Sequence, residues 1–287
     1  MTDDQNLPEQ ELDTESTGSM PVDGASADET TTDDISSAAE DPVLDSVSIT
    51  VERVLEAIEK GEVEIEHGSI RWSSNYTFLL SVRYGDLLIP CIYKPRIGER
   101  PLWDFPDGTL CLRERASFLT SEFLGWQLVP PTVLREGPRG LGSLQFYVEH
   151  DPEYNYFSFD EALKPQLVYL SLFDCIINNA DRKGGHCLVD ASNRLWAIDH
   201  GLTFNAAHKL RTVIWDFAGQ PIPAALLDDL QRLCNELDQP QSDYTCAMQE
   251  LLAPQEMIAY RRRVERLLNS ARFPKPGPGP NYPWPPV

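Results

Sequence analysis

The first 45 residues contain no lysine, no arginine and no aromatic side chain, against 14 aspartates and glutamates. A stretch so poor in apolar surface cannot offset the entropy of ordering itself, which predicts a disordered acidic tail over residues 1–46. That tail carries −14 of the formal net charge of −21 and leaves −7 for the rest of the chain. The remainder has no basic stripe, which excludes nucleic acid as the expected partner, and its acidity weighs against anionic membrane surfaces. No run approaches the roughly 20 apolar residues that a membrane-spanning helix needs. The opening MTDDQNLPEQ lacks the basic and apolar regions of a secretory leader, so the expected compartment is the cytoplasm. The six cysteines include no CxxC pair, which argues against structural zinc and fits buried thiols in a reducing compartment.

From Val47 onward ordered elements become legible. Val51, Val54, Leu55 and Ile58 fall at helical spacing before Gly61. EVEIE reads as a strand, and YTFLLSVRY and LLIPCIYKP flank a Gly85–Asp86 turn as a hairpin. A Pro- and Gly-studded loop leads to a helix over 110–124, ended by Gly125, and PPTVLREG and GSLQFYVEH predict two more strands. Leu163, Leu167, Leu170, Phe173 and Ile177 then repeat on one helical face, and a short hairpin is expected across HCLVD-ASN-RLWAID. Helices are predicted near 224–236, 244–252 and 255–268. The closing PKPGPGPNYPWPPV sustains neither helix nor sheet and predicts an extended, polyproline-like or disordered tail, dispensable for folding.

Two constellations carry chemistry. NNADRKGGH and AIDHG hold Asp181 and Asp199 with a hairpin between them, which folds both carboxylates onto one edge. Paired carboxylates hold a divalent cation through oxygen ligands, as phosphoryl transfer requires; the bland alternative is a pair of turn aspartates. In IYKP, Lys94 ends a hydrophobic strand, where packing explains it poorly and an anion explains it well. Glu114 in the next helix is positioned to hold its ammonium, the strand-Lys and helix-Glu arrangement that orients ATP phosphates in protein kinases; the alternative is a snorkelling lysine and a solvated glutamate.

The order YKP, RERASFLTSEFLGWQLVPPTV, INNADRKGGHCLV and WAIDHGLTF resembles the phosphatidylinositol 3-/4-kinase superfamily. It looks closest to the type II phosphatidylinositol 4-kinases and the HipA-like atypical kinases, and more specifically to an uncharacterised bacterial kinase-like family. The resemblance covers about residues 60 to 220. It implies an α+β, two-lobed protein-kinase-like fold, with a lobe over 47–148, a mainly helical lobe over 149–273 and the Pro-rich tail over 274–287. It further implies ATP and Mg²⁺ or Mn²⁺ as cofactors. Lys94 matches the lysine on the α/β-phosphates and Glu114 its partner, Asp181 the catalytic-loop aspartate and Asp199 the metal-binding aspartate. Ser73, Ser74 and Asn75 match the phosphate-covering loop, though without its glycine, and Gln145–Val148 the hinge facing adenine. His186 stands where an asparagine usually binds a second metal ion, and Lys183 stands where one branch has histidine, able to neutralise the migrating phosphoryl group.

The expectation is a kinase transferring the γ-phosphate of ATP to an unidentified protein or small-molecule acceptor rather than a lipid. A nucleotide-binding pseudokinase regulator and an AMP-transferase on the same fold are the alternatives. Trp215 and Phe217, after Asp199, are expected in the core rather than in an acceptor platform.

Overall fold

In the computed structural model, residues 50–69 and 76–287 are described. The acidic tail and the loop of Ser73, Ser74 and Asn75 lie outside the described residues. Thr50 caps the first helix, α1 (Val51–Lys60), its hydroxyl accepting from Arg53 N–H at 3.3 Å. Val54, Ala57 and Ile58 form the buried face of α1. The helix stops at Gly61, where a Cβ would come within 2.6 Å of the Ala57 and Arg83 carbonyl oxygens. Only glycine fits so close a crossing.

Strands β1 (Glu62–Ser69), β2 (Phe78–Tyr84), β3 (Leu87–Pro95), β4 (Thr132–Gly137) and β5 (Gly140–Phe146) form one antiparallel sheet in the order β1-β2-β3-β5-β4. Period-two alternation sorts the two faces. Leu80, Val82, Cys91, Tyr93, Val133 and Leu144 pack with Val54, Ala57 and Ile58 of α1 into one core. Lys94 faces the other way, towards helix α2 (Leu110–Leu124). α2 ends at Gly125, which takes the left-handed conformation at φ 73°.

A larger core fills the rest of the fold. Helix α3 (Lys164–Ile177), the two-stranded hairpin β6 (Cys187–Val189) and β7 (Leu195–Ala197), and helices α4 (Ala224–Leu237), α5 (Asp243–Leu251) and α6 (Pro254–Ser270) surround Leu170, Phe173, Ile176, Phe204, Leu230 and Tyr260. Asp190 shapes the β6–β7 turn: its Oδ1 accepts from Ser192 N–H and Arg194 N–H, and its Oδ2 from the Trp196 indole at 2.8 Å. The architecture is α+β, with a curled antiparallel sheet and a mainly helical half, as expected. Phe217 is buried in the larger core, and the Trp215 indole is half-buried.

The C-terminal segment makes contacts that its composition does not announce. It is extended and forms no helix or strand, yet it docks: Pro286 O accepts from Gly184 N–H at 2.8 Å, and Asn281 O accepts from Thr212 N–H and from the Trp215 indole at 3.1 Å each. Asn281 folds the segment on itself by donating to the Gly277 and Gly279 carbonyls. Proline removes donors and leaves every carbonyl intact, so a Pro-rich strand can dock through its acceptors alone.

Candidate active site

Lys94 is the hub. Its Nζ lies 2.5 Å from Glu114 Oε1 and 2.8 Å from Asp199 Oδ1, so one ammonium joins β3, α2 and the loop after β7. Burial works against the charge of Lys94, and the Asp199 and Glu114 carboxylates outweigh it and hold the pKa above the usual lysine value. Desolvation pushes the Asp199 carboxyl up, and the Lys94 ammonium overrides it, leaving Asp199 well below the usual carboxylate range. Asp199 itself has φ 59°, a left-handed backbone that aspartate tolerates better than most residues and that aims its side chain back into the cleft.

The second oxygen of Glu114 accepts the backbone N–H of His200 at 2.9 Å. Glu99, from the loop after β3, accepts the N–H groups of Leu110 (3.1 Å) and Cys111 (2.9 Å) and so caps α2 with a carboxylate beside Lys94.

The loop after α3 is fixed by a buried ion pair. Asp174 and Arg182, neither with any exposed side-chain area, meet through Nε and Nη2 at 3.1 Å. Arg182 Nη1 donates to the His186 and Ile198 carbonyls, which ties the loop to β7. Asn179 Oδ1 accepts Asp181 N–H at 2.9 Å, and Thr212 donates to Asp174 Oδ2. Removing one partner of such a pair leaves an uncompensated buried charge, at a cost of about 3–5 kcal/mol.

Asp181 is thereby presented with its carboxylate 3.5 Å from Lys183 Nζ. Burial pushes the Asp181 carboxyl up to about 6, Asp199 adding to the shift and Lys183 opposing it. A carboxylate so placed accepts a proton near neutral pH.

His186 Nε2 lies 3.3 Å from Asp199 Oδ2, while its Nδ1 is 3.0 Å from the Asp181 carbonyl. Nδ1 also receives the Lys183 N–H at 3.5 Å, and the Asp181 carbonyl and the Asp199 carboxylate both accept, so a ring proton finds an acceptor on either nitrogen. Burial drives the His186 pKa down to about 4, which keeps the ring neutral. With the proton on Nδ1, Nε2 and the Asp199 carboxylate face each other as two acceptors, an arrangement that fits a cation bound between them. Among the described residues no group of three or more His, Cys, Asp or Glu converges, so further oxygens would have to come from a ligand.

Val148 packs with Leu188 and Trp196 against Phe146 and Ile198, a buried apolar cluster between β5 and the hairpin. Gln145 is committed elsewhere, its amide donating to Thr132 Oγ1 at 2.8 Å. The structure therefore brings Lys94, Glu114, Asp199, His186, Asp181 and Lys183 into one region, and Val148 lies in a separate apolar cluster that includes Ile198, the neighbour of Asp199. Glu99, His200, Asp174 and Trp196 were not singled out from the sequence. The buried Asp174–Arg182 spacing was the one signal available: an aspartate in an otherwise apolar helical run, eight residues before an arginine.

The protein Rv2133c of Mycobacterium tuberculosis (strain ATCC 25618 / H37Rv) is 38% identical over 253 residues, covering 76% of this chain and 90% of that protein. The chain belongs to the Rv2133c family. No protein-family model matches it. Among solved structures, a golgi casein kinase (TM-score 0.43, 14% identity, 79% of each chain), the hydra Fam20 with sugar (0.46, 14%, 77% of this chain and 88% of that one) and the Helicobacter pylori proinflammatory kinase CtkA (0.44, 13%, 73% and 97%) are similar to the chain. In this member of the Rv2133c family the α+β architecture holds a lysine ion-paired to two carboxylates from different elements. No helix among the described residues is long and apolar enough to cross a membrane.

Proposed function

We propose that the chain is an ATP-dependent phosphotransferase that works with a divalent cation, magnesium or manganese, and moves the γ-phosphate to an acceptor hydroxyl. The observation that carries this reading is Lys94, held between Glu114 and Asp199, with Asp181 close enough to Asp199 to feel its charge. A lysine locked by a helix glutamate presents a fixed positive charge to phosphate oxygens, and positioning with charge neutralisation is what phosphoryl transfer needs. The order of motifs sets this reading nearest to the phosphatidylinositol 3-/4-kinases and HipA-like kinases. The sheet lobe of 47–148 and the helical lobe of 149–273 would form the two walls of the cleft.

In this reading Lys94 exchanges Asp199 for a phosphate, and Asp199 with His186 holds the cation. Such a cation, when bound, neutralises phosphate charge. Asp181 takes the proton of the acceptor hydroxyl as its oxygen bonds to the γ-phosphorus and the bond to the ADP oxygen breaks. Lys183 offsets charge at the transferred group. The apolar cluster of Val148, Leu188 and Trp196 suits a purine face. The acceptor is a protein or small molecule.

A nucleotide-binding regulator without turnover is the second reading, favoured by the Lys94–Asp199 contact, which must open before phosphates enter. Labelled ATP separates these. Incorporation of γ-label into acceptor in a cell extract supports the kinase, and α-label would mean AMP transfer instead. Binding without either label supports the regulator, and no binding removes the nucleotide site.

A further inference from the structure

A second feature lies outside the cleft, on helix α6. The run YRRRVER places four arginines within six positions of a strongly acidic chain, and their fates differ. Arg261 is paired with Asp238 and Glu265. Arg263 is buried, its Nε and Nη1 donating to the Ile176 and Asn205 carbonyls at 3.1 Å, and its Nη2 is a buried donor with no hydrogen-bond partner. Arg262 and Arg266 are exposed, at i and i+4 on one face, and form no ion pair or hydrogen bond within the described residues. Like charges at that spacing repel.

These two arginines line a surface cavity of about 390 Å³ with Gln255, Ile258 and Ala206. No carboxylate lines it. The acids of α6, Glu256 and Glu265, are engaged by Arg113 and Arg261. The opposite wall is the segment after Asp199, whose Asn205 and Ala207 carbonyls are held by the Asn178 amide at 3.0 and 2.7 Å. Two residues after Ala206 in that segment, His208 feels the same field: burial lowers its pKa, and Arg266 and Arg263 lower it further, with no acid opposing them.

We propose that this cavity binds a phosphate-class dianion, free or carried on a phosphorylated side chain. Two unpaired guanidinium forks four residues apart match the oxygens of a tetrahedral anion, and Arg provides bidentate contacts that lysine cannot. The polar amide of Gln255 adds a donor at the rim, and the anion relieves the repulsion between Arg262 and Arg266. The site is independent of the proposed nucleotide cleft. It lies against the segment that continues from Asp199, where occupancy would brace the Asn205–His208 stretch.

The test is thermal melting of the full chain, without nucleotide, in inorganic phosphate against chloride at equal ionic strength. Phosphate should raise the melting temperature in a saturable way, and an R262A/R266A double variant should weaken apparent affinity about tenfold or more. An R262K/R266K variant, which keeps charge and loses the forks, should fall between the two, and the His208 imidazole resonance should shift with phosphate in the parent chain. A response unchanged in the double alanine variant, or one lost in Lys94→Ala instead, overturns the proposal and assigns the anion elsewhere. Absence of any phosphate response also overturns it, unless a phosphothreonine peptide binds in an arginine-dependent manner while its unphosphorylated form does not; that result assigns the dianion to a phosphoprotein. Retention of the ATP-induced shift in R262A/R266A keeps the outcome separate from the kinase reading.

Discussion

Arg182 Nη2 lies 2.7 Å from His200 Nε2, and this contact sets the tautomer of a fully buried imidazole. A guanidinium only donates, so Nε2 accepts and the proton sits on Nδ1, which is buried without a hydrogen-bond partner and 4.0 Å from Glu114 Oε2. Burial, with Arg182 and Lys94 nearby, holds the His200 pKa well below its usual value. His200→Phe should leave a buried guanidinium donor unmet and cost about 1–3 kcal/mol. His200→Gln, which keeps an acceptor for Arg182, should lose less. Denaturant unfolding of both variants checks this, and equal losses would mean that the Arg182 contact contributes nothing.

Lys94→Ala should abolish the ATP-dependent rise in melting temperature and turnover together. Glu114→Gln should do less to binding, because it keeps an oxygen for Lys94 and weakens only the charge that fixes it. A normal ATP-induced shift in Lys94→Ala would remove the phosphate role from this residue.

Asp181→Asn and Asp199→Asn should differ. Asp199→Asn should weaken cation-dependent nucleotide binding, and Asp181→Asn should lower turnover with ATP affinity close to normal. The pH dependence follows from the raised Asp181 pKa. The carboxylate is the active form, so turnover should fall as pH drops through about 6. Stability runs the opposite way: the folded form binds this proton more tightly than the unfolded chain, so the contribution of Asp181 to stability improves as pH falls from about 6 to about 4. Asp181 remains partly exposed, so relief in Asp181→Asn at pH 7 should be about 1 kcal/mol, a rise of roughly 2–4 °C in melting temperature. A fall in melting temperature would contradict it.

His186→Asn replaces a nitrogen donor by an amide oxygen beside Asp199. Nitrogen ligands shift preference from magnesium towards manganese and later metals. The variant should raise the magnesium-to-manganese activity ratio. An unchanged ratio would fit an imidazole that serves only the Asp181 carbonyl.

Deleting residues 274–287 should lower the melting temperature and disturb the catalytic loop, since Gly184 and Thr212 N–H groups lose their acceptors. A melting curve indistinguishable from the full chain would show that water replaces those contacts without cost.

Local order was legible in the sequence: the span of α2, its stop at Gly125 and the β6–β7 hairpin follow from periodicity and turn chemistry that act over a few residues. Lys94 and Glu114 were legible as a pair because a strand and the next helix bring them together. The Lys94–Asp199 contact spans 105 residues, and its geometry rests on how the hairpin docks. His200 was hidden because its neighbour Asp199 carries the motif while its own role is set by Arg182 and Glu114. The contacts of the Pro-rich segment were hidden because its composition excludes ladders, and docking through carbonyls leaves no compositional trace. The tie of the Gln145 amide to Thr132 across one strand pair is invisible without the register.

Helix α2 carries two adjacent residues that reach opposite parts of the molecule. Glu114 holds Lys94 and the His200 N–H, while Arg113 donates to the Thr203 carbonyl and to Glu256 of α6, both at 2.6 Å. An outward swing of this helix would sever all four contacts at once and strand a buried arginine. The helix thus braces both halves through one pair of neighbouring side chains, and any rotation of it has to break these four contacts together.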